Sequence, residues 1–91
     1  MSRIDIVHAH SLAPEDARRV VEDVAARLHE RYGLSPRWEG QALRLSGPGI
    51  QGRVELLPRQ VRVVAELGFL FSAMRGLVES EIRRVLDEKL R

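Results

Sequence analysis

Two histidines set two residues apart, His8 and His10, are the first side chains whose type and spacing could do chemistry. On a strand that spacing puts both imidazoles on one face, which permits a metal ion. A third ligand is missing from the pattern, because His29 falls in a helical stretch with no fixed relation to the pair. The two therefore read as an edge-strand histidine and one beside a helix start, without a metal. Glu39, Glu55 and Glu66 carry the group needed for general acid–base work. They sit among arginines on a face expected to be solvated, where carboxylates stay ionised. Ser11, Ser46, Ser72 and Ser80 belong to no nucleophile motif. Neither a lysine nor a helix start follows Gly47-Pro48-Gly49 and Gly52, so they make no phosphate loop. There is no cysteine, hence no thiolate and no disulfide framework. The expectation is a chain that is not an enzyme, with no catalytic residues and no cofactor.

The residues that stand out are apolar instead. Leu67, Phe69, Leu70, Phe71 and Met74 crowd a corner at Gly68, and both phenylalanines of the chain are among them. A strand end and a helix start cannot bury all of these side chains on one face. They form the candidate ligand or partner patch. It is either exposed apolar surface or the mouth of a cavity between the sheet and the last helix.

The elements that must position this corner follow from a change of period. Val61, Val63, Ala65 and Leu67 alternate with Arg62, Val64 and Glu66, as in a half-buried strand. From Phe71 onward Met74, Leu77, Val78, Ile82, Val85 and Leu86 fall on one face of a long helix. Upstream, Ile4, Ile6 and His8 mark a short strand from about Arg3 to Ala9. Ser11 is the expected cap of a helix with Pro14 in its first turn, ended by Gly33. Its apolar stripe is Ala17, Val20, Val21, Val24, Ala25, Leu28 and Tyr32. A meander follows, with Glu39-Gly40 read as a turn rather than a bulge. Leu43 and Leu45 make one strand, and Ile50, Gly52, Val54 and Leu56 the next. Leu57-Pro58-Arg59-Gln60 reads as a type I turn.

This is an α+β order, β-α-β-β-β-β-α. Counting strand directions makes the first and fifth strands antiparallel and predicts the sheet order first, fifth, fourth, third, second. Two helices then pack on one face, and Asp5, Arg44, Arg53, Glu55, Arg62 and Glu66 share the wet one. The exposed edge strand is open to a second copy, as in a homo-oligomer.

Ninety-one residues suffice for one domain, spanning 1–91, with one core and no need of metals or disulfides. No run approaches a membrane span, and Met1–His10 is polar and alternating, unlike a signal peptide. The net charge is +2, with arginines interleaved among acids, which suits a paired surface better than a nucleic-acid stripe. From Ala13 onward the order resembles a double-stranded-RNA-binding domain. The lysines such a domain uses at its last helix are replaced by Ser72-Ala73-Met74-Arg75-Gly76, with one arginine.

Taken together, His10-Ser11-Leu12, Tyr32-Gly33, Trp38-Glu39-Gly40, Gly52-Arg53-Val54-Glu55, Ala65-Glu66-Leu67-Gly68-Phe69-Leu70, Ile82-Arg83-Arg84 and Leu86-Asp87-Glu88 carry a resemblance. The chain resembles the polyhydroxyalkanoic acid system proteins over nearly its full length, most specifically at Glu66–Leu70. That resemblance implies a cytoplasmic bacterial protein acting at storage-polymer granules, with the polymer or a granule-coating protein as partner. It brings no catalytic or ligand residues with it. The element order also looks like a reduced helix-grip (START-like) fold, which implies a cavity under the last helix and, as an alternative, a carrier of a small hydrophobic ligand.

Overall fold

The computed structural model describes residues 2–90. Eight elements follow one another: β1 (Ser2–Ala9), α1 (Pro14–Tyr32), β2 (Ser35–Glu39), β3 (Ala42–Gly47), β4 (Ile50–Leu57), β5 (Gln60–Leu67), α2 (Phe69–Ser72) and α3 (Arg75–Lys89). The strands form one antiparallel sheet in the order β1-β5-β4-β3-β2, as strand counting predicts.

Three tight turns set the register. Gly40 (φ 63°) opens the two-residue link between β2 and β3, so Glu39-Gly40 is a turn and not a bulge. Pro48-Gly49 links β3 to β4 with Gly49 at φ 82°, the proline–glycine order of a type II turn. The link from β4 to β5 departs from the expected type I turn. Arg59 there takes φ 59°, a left-handed conformation that a type I turn does not contain.

α1 starts at Pro14, whose missing N–H costs nothing in the first turn. Its cap is Ala13 and not Ser11. The Ala13 carbonyl accepts from Asp16 and Ala17 N–H, and no side chain caps the helix. Gly33 (φ 71°) ends it and donates its N–H to the His29 carbonyl. The buried stripe Ala17, Val20, Val21, Val24, Ala25 and Leu28 packs on the sheet, α3 lies beside it, and both helices cover the same face. Between them and the sheet sit Ile4, Ile6, Leu43, Leu45, Val54, Val61, Val63 and Leu67, all at most 3% exposed. The other face carries the charges. Val64 lies on that face too, yet is buried to 2% exposure, between Asp5 and Arg53 on the neighbouring strands.

The long terminal helix expected from Phe71 is divided. α2 is one turn, Ala73 and Met74 break the run, and α3 begins at Arg75. Phe69 and Leu70 of α2 then stay outside the core that receives the stripe Val78, Ile82, Val85 and Leu86 of α3.

Candidate functional site

The corner after β5 is built on glycine. Gly68 leaves β5 in extended backbone and donates its N–H to the Gly49 carbonyl at 2.7 Å, tying the start of α2 to the β3–β4 turn. Ser72 Oγ donates back to the Gly68 carbonyl at 3.0 Å and closes the turn of helix. Phe71 then lies over Gly49, where a Cβ would stand 3.0 Å from its ring. On its other side Tyr32 meets the ring edge-to-face, with centroids 6.2 Å apart.

These anchors split the predicted patch. Leu67 is 1% exposed and belongs to the core, and Phe71 is half-buried against it. Phe69 (87% exposed), Leu70 (80%) and Met74 (39%) face outward. Leu77, expected within the buried stripe of the last helix, is 69% exposed and joins them. The signal for Leu77 was present: at about 100° per residue it stands one step from Val78 on the side away from Leu86. The arrangement offers exposed apolar surface, of the kind that suits contact with another apolar surface.

The other candidates are engaged separately. His8 donates from Nδ1 to the Ala9 carbonyl, and its Nε2 lies 2.9 Å from Asp87 of α3. His10 Nδ1 accepts the Leu12 N–H, and His29 Nδ1 donates to the Leu34 carbonyl. Glu55 lies between Arg53 (3.1 Å) and Arg62 (3.9 Å), and Glu39 is 3.6 Å from Arg44. Arg62 grips Asp5 through two nitrogens at 3.0 and 2.6 Å. That hydrogen bonding and the adjoining positive charge hold the Asp5 carboxyl below the usual carboxylate range and raise the guanidinium above its own.

Two expected alternatives lack their geometry. The void beneath the last helix, lined by Leu28, Tyr32, Ile50 and Val78, measures about 20 Å³. That is room for about one water and not for a hydrophobic ligand. Arg75, the lone cation at the start of the last helix, donates to the Arg3 carbonyl (3.1 Å) and pairs with Glu79 (3.4 Å). Among the described residues no helix is long and apolar enough to cross a membrane.

Neither the curated proteins nor the solved structures contain a match to this chain. A model of the family described as polyhydroxyalkanoic acid system protein matches residues 4–90, taking in the whole sheet but for the first two residues of β1, together with every helix. With all but its extreme ends matched, the chain belongs to the polyhydroxyalkanoic acid system family.

Proposed function

We propose that the chain is a non-enzymatic accessory protein of bacterial polyhydroxyalkanoate storage. It acts in the cytoplasm at the granule surface and binds the polymer, or a protein coating it, through Phe69, Leu70, Met74 and Leu77. The observation that carries this reading is the exposure of Phe69 and Leu70 side by side, at 87% and 80%. Burying two such side chains against a hydrophobic surface contributes about 3–6 kcal/mol in total. The ties from Gly68 and Ser72 fix the turn that presents them, so little ordering cost opposes that gain. Family membership supports the storage-polymer context.

Co-sedimentation with purified granules tests it. Phe71 supports the corner from inside, so the informative variant is Phe69→Ser with Leu70→Ser, which changes only outward side chains. The double variant should keep the wild-type circular dichroism and lose most granule binding. Equal binding by the folded variant would remove the corner from the mechanism.

A further inference from the structure

β2 is the uncovered edge of the sheet, and three independent features of it point to one kind of partner. The first is main chain. Glu39 opposes Ala42 across a two-residue turn and Arg37 opposes Arg44, so the alternation of an antiparallel ladder turns the Trp38 N–H and C=O outward, with the Pro36 C=O. The missing N–H of Pro36 therefore falls on the outer side, where a proline is tolerated. The opposite edge, β1, is partly occupied: Arg75 takes the Arg3 carbonyl and His8 the Ala9 carbonyl.

The second feature is a groove of about 480 Å³ between β2 and α1, with Ala25 and Ala26 on the helix side and Pro36 and Trp38 on the strand side. Small side chains on α1 leave it open. Trp38 is a fixed wall, since its indole N–H donates to Glu22 at 3.2 Å and the Arg18 guanidinium stacks 3.7 Å from its ring centre. The third feature lies on the opposite face of the same strand. Arg37, Arg44 and Arg53 are direct neighbours across β2, β3 and β4, a like-charge row that opposes pairing. Arg44 has Glu39 and Arg53 has Glu55, while among the described residues Arg37 forms no ion pair.

We propose that the free edge of β2 takes up an extended segment of a partner protein in which apolar and acidic residues alternate. The segment adds to the sheet, with its apolar side chains in the α1–β2 groove and an acid against Arg37. Period-two alternation is what a strand requires to satisfy both faces at once. A second copy of β2 fits poorly. The register that brings Trp38 N–H to the Pro36 carbonyl of the copy centres on Arg37 and sets two arginines face to face.

The test is a titration of the isotope-labelled full chain with a short peptide of alternating valine and glutamate, followed by amide and indole NMR. Shifts should map to β2, the Trp38 indole and Ala25–Ala26. Arg37→Glu should weaken that peptide at least about fivefold and favour its valine–lysine counterpart. Methylating alternate peptide nitrogens, which removes the ladder donors, should abolish binding. Several results would overturn the proposal: no shifts in β2 at millimolar peptide, shifts only at Phe69–Leu77, an unchanged affinity in Arg37→Glu, or undiminished binding of the methylated peptide. Concentration-dependent shifts of β2 without peptide would assign the edge to a second copy and overturn it as well.

Discussion

The open sheet face is held by a relay of side chains: Asp5 on β1, Arg62 on β5, then Glu55 and Arg53 on β4. Exposed pairs of this kind contribute little one by one, and the two-pronged grip of Arg62 on Asp5 is the best formed of them. Its pH dependence has a definite sign. Because folding depresses the Asp5 pKa, its contribution is complete above the ordinary carboxylate range and is lost as pH falls through the depressed value. Asp5→Asn should therefore lower the melting temperature at about pH 7, and the difference from wild type should shrink as the pH falls through the depressed value. A gap between the two proteins that persists in strong acid would mean Asp5 acts through packing rather than charge.

At the scale of elements, the corner depends on the β3–β4 turn and the start of α2 coming together at Gly49 and Gly68. Gly49 is needed twice over. Its φ of 82° disfavours any side chain, and the Phe71 ring occupies the space a Cβ would need. Gly49→Ala should cost about 1–3 kcal/mol in urea denaturation and loosen the Tyr32–Phe71 contact. Gly76 makes the useful contrast, because an added Cβ at this α3 position meets nothing within 4 Å. Gly76→Ala should leave stability unchanged or raise it by up to about 1 kcal/mol. If both substitutions had the same effect, the Phe71 packing would not be what holds α2 in place.

For the whole molecule, the decisive pairing joins the first strand to the last: Ser2 lies across from Leu67 and Ala9 from Gln60. All the other strand pairs are sequence neighbours and close over short turns. Most of the chain must be in place before β1 finds β5, which is the slow, non-local kind of contact. β1 also supplies Ile4 and Ile6 to the core at 0% and 2% exposure. Removing residues 2–9 should abolish cooperative unfolding and expose the edge of β5 to aggregation, seen as loss of amide dispersion and growth in light scattering. A monomeric, cooperatively folded fragment would show that the meander and helices make a sufficient core without β1.

The period of the apolar residues, the glycines and the turn at Glu39-Gly40 determined the order of elements, the strand directions and hence the order of the sheet. These are local quantities, read from spacing along the chain. The Leu67–Met74 corner was legible as a cluster but not as an inside and an outside. Whether Phe71 turns in and Phe69 turns out depends on Gly49 and Tyr32, which are distant in sequence and meet the corner only after folding. The division of the last helix at Ala73–Met74 likewise set Met74 outside, against a continuous helical period that would have buried it. The arginine row arises from register across three strands, which no single stretch encodes. Spacing decided what each segment is; burial and charge neighbourhood, being properties of pairs brought together from far apart, were left to the tertiary structure.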